Sequence, residues 1–263
     1  MAGSVSVRRI RFVPPGSEPG TVVRQFRDPR PTTAIEATVP SEEIDADREF
    51  DELAIAIVDN PADWQRSLDA IRSPALPPPA ILIRGEVRIG WRAGRAVAFG
   101  DSPDALAGLV EAAFYEGELR RIERTLRQYD GEADRDIPLA FRARFRDRSD
   151  WPRFRDRLAL YTRLRQSLVA IAPHLTRPSR ELPQEARRWA ARCLRATDAA
   201  HRAEAVGELL ETREDLYEGA VDRITDYLGY FYGYFLEIII VVLLVIEIGL
   251  MAGEVYMTLW VAE

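Results

Sequence analysis

From Tyr227 to Ala262 only Glu237, Glu247 and Glu254 carry charge in an otherwise apolar and aromatic run. Its centre, Leu236-Glu-Ile-Ile-Ile-Val-Val-Leu-Leu-Val-Ile-Glu-Ile248, is far too long for a strand. As a helix rising about 1.5 Å per residue, Tyr234 to Tyr256 covers roughly 33 Å, close to the ~30 Å hydrocarbon thickness of a bilayer. Aromatic residues gather at both ends, Tyr227, Tyr230, Phe231, Tyr232, Tyr234 and Phe235 at one and Tyr256 and Trp260 at the other, as at the two membrane interfaces. The Leu, Ile and Val residues between Leu236 and Leu250 contribute about −4 to −7 kcal/mol on insertion scales. A carboxylate at mid-bilayer costs about +2.5 to +3.5 kcal/mol, and less near an interface. Glu237 falls near the aromatic belt and Glu247 near the midplane, so insertion prevails, with Glu247 protonated or facing protein rather than lipid. A transmembrane helix is predicted over 234–260.

Residues 1–20 hold no apolar run resembling a signal peptide; Arg8, Arg9 and Arg11 interrupt it. The span is therefore expected to be single and C-terminal, giving a tail-anchored protein of the inner or cytoplasmic membrane with its N-terminal bulk in the cytoplasm. Arg213 and Arg223 precede the span and no cation follows it, the same orientation by the positive-inside rule.

All 36 cations of this 263-residue chain are arginines. Lacking lysine, it cannot build a Walker-type phosphate loop, a Schiff-base site or the strand lysine of protein kinases. With only His174, His201 and Cys193, it cannot assemble multi-histidine or Cys-x-x-Cys metal sites, nor an internal disulfide. The expectation is a non-enzymatic protein with no cofactor, no metal and no small-molecule substrate.

The fold class read from the rest is α+β: a small N-terminal α/β sheet domain, a helical hairpin or coiled-coil arm, and the C-terminal transmembrane helix. Short β-branched or alternating runs at Val5 to Val13, Thr21 to Phe26, Leu53 to Val58, Ala80 to Ile83, Val87 to Trp91 and Ala96 to Phe99 predict strands. Pro14-Pro15-Gly16, Pro29 to Pro31 and Pro77 to Pro79 punctuate them, and Asn60 to Arg72 predicts a helix. From Ser102 the pattern turns helical: an N-cap serine, Pro103 and Asp104 start a helix reaching about Tyr129. Trp151, Phe154, Leu158, Tyr161, Leu164, Leu168 and Ile171 then make an apolar helical stripe that Pro173 is expected to end. A third run begins at Pro183, with a break near Ala199. Within it Leu210, Tyr217, Ile224 and Phe231 recur every seven residues, a coiled-coil face leading into the span. The predicted organisation is a strand-rich α/β domain over 1–100, an Arg-rich helical region over 101–175, a helical stalk over 176–233 and the span.

Charge is sorted along this frame. Residues 1–134 carry 17 Arg and 23 acids, 135–165 carry 10 and 4, 177–202 carry 7 and 3, and 203–263 carry 2 and 12. Anionic lipid would repel the last block, so the stalk is expected to stand away from the bilayer. Arg142, Arg144, Arg146, Arg148, Arg153, Arg155 and Arg157, interleaved with Phe141, Phe145, Trp151 and Phe154, form a candidate basic contact surface for RNA or a ribosome. The competing account, and the favoured one, pairs these arginines with the acidic stalk, within the chain or across a dimer.

Three further patterns invite functional readings. Phe99-Gly100-Asp101-Ser102 after a strand resembles the nucleophile block of Gly-Asp-Ser-type esterases, and Asp198-Ala-Ala-His201 the Asp-x-x-His of that family, implying a Ser102, His201, Asp198 triad. The family's Gly-x-Asn block is missing, since Asn60 precedes the serine, and the hydrolase ranks below a binding protein. His201, Glu204, Glu208 and Glu211 lie on successive helical turns but give one histidine on one helix, which reads as solvated stalk. Cys193 reads as a buried small side chain and His174 as a helix-end residue.

Leu236-Glu237, then Glu247-Ile248 after an Ile-rich stretch, with Leu216-Tyr217-Glu218 upstream, resembles the C-terminal signature of the required-for-meiotic-nuclear-division family. Ile238 stands where that family has tryptophan. The resemblance implies a membrane-anchored, non-enzymatic protein with an N-terminal α/β domain and a helical arm. The expected function is a membrane scaffold or tether working through self-association, the bilayer and a second copy being the expected partners. Glu237 and Glu247 are its candidate intramembrane polar contacts, and a protein, ribosome or RNA partner is the alternative.

Overall fold

A computed structural model describes residues 6–37, 51–72, 78–92, 94–141 and 149–261. The strands are β1 (Ser6–Val13), β2 (Thr21–Phe26), β3 (Thr32–Ala37), β4 (Glu52–Val58), β5 (Ala80–Arg84), β6 (Val87–Arg92) and β7 (Arg95–Phe99). The helices are α1 (Pro61–Ile71), α2 (Pro103–Ala140), α3 (Trp151–Thr176), α4 (Gln184–Ala196) and α5 (Ala199–Val261). The α+β class read from the sequence is what the chain adopts. It divides into two compact units, Met1–Gly131 with Tyr161–Thr212, and Glu132–Leu160 with Arg213–Glu263.

The first unit holds a seven-stranded sheet in the order β2-β3-β1-β4-β7-β6-β5. Every neighbouring pair is antiparallel except β4 and β7, which run parallel from Ala54↔Arg95 to Val58↔Phe99. Parallel neighbours need a crossover. Here α1 supplies part of it: Asn60 caps the helix by accepting from the Asp63 N–H at 2.9 Å, Pro61 opens it, and Trp64 and Leu68 bury against Val58 and Val97. Ile10 and Phe12 of β1 are buried where their neighbours are not, the period-2 signature of a half-covered sheet. Phe26 stacks on Phe114 of α2 with centroids 3.9 Å apart, and Phe12 lies 5.6 Å from the same ring. Strand β3 was not legible because Pro29-Arg-Pro31 reads as a linker; the strand starts one residue later and buries Ala34 and Ile35 between β2 and β1.

Helix α2 does not end near Tyr129 as expected. It passes Gly131 and Pro138 to reach Ala140. Tertiary burial overrides propensity here, since Ala133, Asp136 and Ala140 are all inaccessible beyond the expected end. Pro173 likewise lies inside α3 rather than ending it: Ile171 and Leu175 are buried on either side, and the Arg177 N–H donates to the Pro173 carbonyl at 2.9 Å. The break near Ala199 is real, made by Asp198 at φ 51 between α4 and α5.

Buried carboxylates on α2 are neutralised by arginines from elsewhere in the first unit. Glu111, fully buried, pairs with Arg24 at 2.9 Å and accepts from the Ser179 N–H at 2.9 Å. Arg202 reaches Glu123 at 2.8 Å and Glu116 at 3.0 Å. Burial works against the Arg202 charge, but the hydrogen bond and field of Glu123, then those of Glu116, outweigh it and raise its pKa. Gly108 lets α2 and α4 approach closely: a Cβ there would lie 2.5 Å from the Ala186 carbonyl oxygen and 2.7 Å from Trp189 Cβ.

In the second unit, the end of α2, the start of α3 and α5 enclose Phe154 and Tyr217, whose ring centroids are 5.9 Å apart. Asp136, also inaccessible, accepts from the Tyr217 hydroxyl at 2.9 Å and pairs with Arg153. Leu210, Tyr217 and Ile224 of the seven-residue repeat are buried, whereas Phe231 is 40% exposed, so the buried seam stops before the apolar run begins.

Candidate functional site

Within α5, every residue from 229 to 253 is exposed. Such a face, apolar all round, is unfavourable in water, and each large side chain adds about 1.5–3 kcal/mol of exposure cost. Among the described residues this is the one helix long and apolar enough to cross a membrane. By length and composition it is a candidate membrane span. Glu237 and Glu247 stand exposed on it, about 15 Å apart along the axis and about 80° apart around it. Their spacing of ten residues is seven plus three, the separation of two positions on one heptad seam. The outer aromatic belt at Tyr256 and Trp260 lies where side chains are outside the described residues.

The candidate basic surface splits. Arg142, Arg144, Arg146 and Arg148 lie outside the described residues. Arg153 is committed to Asp136 and Arg157 to Glu132, both on α2. Arg155 lies over the Trp151 ring at 5.1 Å, a cation–π contact. The acids opposite Arg153 and Arg157 thus come from α2 and not from the run between Glu204 and Asp226. Of that run, Glu211 faces Arg165 at 3.8 Å.

Ser102 Oγ accepts from the Ala105 N–H at 3.3 Å, as an N-cap does, and His201 Nδ1 lies 3.9 Å from Glu204, both side chains well exposed. Among the described residues no hydrogen bond joins Ser102, Asp198 and His201. His174 stacks on Tyr115, with centroids 4.4 Å apart and ring planes 5° from parallel. Burial, then the field of Glu111, pushes the Tyr115 hydroxyl far above its ordinary value.

Cys193 is fully buried, and burial followed by the nearby Glu116 charge raises its thiol pKa strongly. The folded protein keeps this proton where the unfolded chain loses it, so the linked stability is intact below the ordinary thiol pKa and falls above it, by up to about 1.4 kcal/mol per pH unit. We expect Cys193 in the native protein to resist iodoacetamide at pH 8 and to react fully in denaturant, with mass spectrometry reading both states. Rapid native labelling would show that α4 opens.

A groove lined by seven arginines was not singled out from sequence. It is built from the 177–202 block, whose seven arginines against three acids were the available signal. That block is short and was overshadowed by the aromatic-rich 135–165 stretch.

No protein-family model matches the chain, and no curated protein matches it. Among solved structures it is similar to the CorA magnesium transporter from Methanocaldococcus jannaschii, at 11% identity over 91% of this chain and 82% of that one, with a TM-score of 0.39. That score is too low for the likeness to say anything about transport in this chain.

Proposed function

We propose that the protein is a membrane tether: α5 spans a bilayer once, self-associates there, and holds the sheet-bearing unit at the membrane surface. The observation that carries this reading is the unbroken exposure of residues 229–253, which nothing among the described residues covers. Lipid satisfies the apolar faces but not the two carboxylates. A carboxyl group in hydrocarbon costs about 2.5–3.5 kcal/mol, and a protonated one that donates to a neighbouring helix recovers about 0.6–2 kcal/mol of it. Because Glu237 and Glu247 stand seven plus three residues apart, one left-handed helix–helix seam can take both. The Leu236-Glu237…Glu247-Ile248 resemblance supports the same role.

The test is the double change Glu237→Leu and Glu247→Leu. The protein is expected to remain in the membrane fraction after alkaline carbonate washing, since insertion becomes easier, while its oligomer in mild detergent dissociates to a smaller mass by light scattering. An unchanged mass overturns the role of the carboxylates in self-association, and release of the parent protein by carbonate overturns the span itself.

A further inference from the structure

An open groove of about 620 Å³ lies in the first unit, lined by β5, the α3–α4 connection and one face of α4. Seven of its lining residues are arginines: Arg84 from the strand, Arg177 and Arg180 from the connection, and Arg187, Arg188, Arg192 and Arg195 from the helix. Among the described residues Glu185 is the one carboxylate paired with any of them, at 2.7 Å from Arg84 and 2.6 Å from Arg188. Arg192 donates to the Ile83 carbonyl at 2.8 Å and lies over the Trp189 ring, and Arg195 donates to the Ala191 carbonyl at 3.1 Å. Four guanidinium groups are thereby held in place. Arg177, Arg180 and Arg187 have no side-chain partner among the described residues, and the Arg187 Nε is buried without one.

Gathering like charges this closely opposes folding, and elsewhere in the unit the chain neutralises buried charge with matched pairs, as at Glu111, Glu116 and Glu123. Here it does not. Planar guanidinium forks suit phosphate oxygens, which accept two parallel N–H bonds from each. The amino end of α4 at Gln184 lines the same groove and has no side-chain cap, so its free N–H groups add to the positive field. The remaining lining, Thr176, Pro178, Gln184 and Ala191, has no aromatic ring to stack a base and no carboxylate to hold a metal. The volume lies within the range of small-ligand sites, about 300–1,000 Å³, and the arginines converge on one concavity from three elements rather than tracking along a strand-like path.

We propose that this groove binds a compact linear triphosphate, recognised through its phosphates alone, whether free tripolyphosphate or the tail of a nucleotide. Magnesium ions compete with the arginines for the same oxygens and weaken binding.

The experiment is calorimetric titration of the full chain in mild detergent at low salt with tripolyphosphate, ATP, GTP and orthophosphate. Tripolyphosphate and both nucleotides are expected to bind within about threefold of one another, orthophosphate at least about a hundredfold more weakly, and excess magnesium to reduce affinity several-fold. The double change Arg177→Gln and Arg180→Gln removes two exposed cations that have no side-chain partner to lose, and should cost more than about tenfold, whereas Arg66→Gln with Arg127→Gln should change little. Equal losses in the two double variants would reduce the binding to non-specific charge attraction and overturn the site. ATP binding much more tightly than tripolyphosphate would overturn recognition through phosphate alone. A single-stranded RNA that displaces tripolyphosphate at a tenth or less of its concentration would assign the groove to nucleic acid and overturn the proposal. All these readouts are independent of whether α5 self-associates.

Discussion

Replacing Arg153 with Ala is expected to destabilise the protein by about 3 kcal/mol, because the change leaves the fully buried Asp136 carboxylate with the Tyr217 hydroxyl as its one remaining donor among the described residues. Breaking a buried pair from one side costs more than the pair itself contributes, since the abandoned charge keeps its desolvation penalty. The Arg153 side chain is 41% exposed, which places the effect at the lower end of the usual 3–5 kcal/mol range. Tyr217→Phe should cost about 1–2 kcal/mol, as it removes a neutral donor while the ion pair survives. Arg155→Ala, which forfeits only the contact over Trp151, should cost no more than about 1 kcal/mol. Urea unfolding in mild detergent, followed by tryptophan fluorescence, gives all three values. If Arg153 and Arg155 prove equally dispensable, Asp136 is not held as described, and the two arginines return to the status of a free basic surface.

A second large effect is expected at Gly108. An alanine there would bring its Cβ to 2.5 Å from the Ala186 carbonyl oxygen, 2.7 Å from Trp189 Cβ and 3.0 Å from the Ala190 nitrogen. Two of these atoms are backbone of α4, so no rotamer change relieves the clash and the helices must separate. Overpacking of this kind costs about 1–3 kcal/mol or more, against which the better helix propensity of alanine returns up to about 1 kcal/mol. A net loss of about 2 kcal/mol is expected for Gly108→Ala, with Gly108→Leu worse. Gly131, in the same helix, has open space where its Cβ would go, and Gly131→Ala should stabilise by about 0.5–1 kcal/mol. Opposite signs for one substitution in one helix, read by thermal unfolding, isolate packing from propensity. A neutral Gly108→Ala would mean that α2 and α4 are not in close contact.

What the sequence revealed and what it hid divide along the reach of the forces involved. The candidate span was legible because its apolar character is a local property of every residue in the run from Leu236 to Leu250. Strand β4 and helix α1 were legible for the same reason, through alternation and through Asn60 and Pro61 at the cap. The end of α2 was not, because Gly131 and Pro138 argue locally for a stop and are overruled by the burial of Ala133, Asp136 and Ala140. Nor was β3, a strand that exists because β1 and β2 offer it two edges. The partners of two arginines in the candidate basic surface were hidden in a related way. Sequence showed that Arg153 and Arg157 were dense in charge, but not that Asp136 and Glu132 would come to meet them. The groove arginines are spread from Arg84 to Arg195, and only the strand that brings Arg84 beside Glu185 makes them one group.

The bond between Tyr217 and Asp136 joins residues 81 positions apart. At a synthesis rate of about 5–20 residues per second, the Asp136 carboxylate waits roughly 4–16 s before its hydroxyl partner has been made. Nineteen residues after that partner, the ribosome begins on Leu236 and the apolar run. The pace of synthesis across residues 218–236, about 1–4 s at the same rate, is therefore what sets how long the Tyr217 hydroxyl has to reach Asp136 before the apolar run follows it.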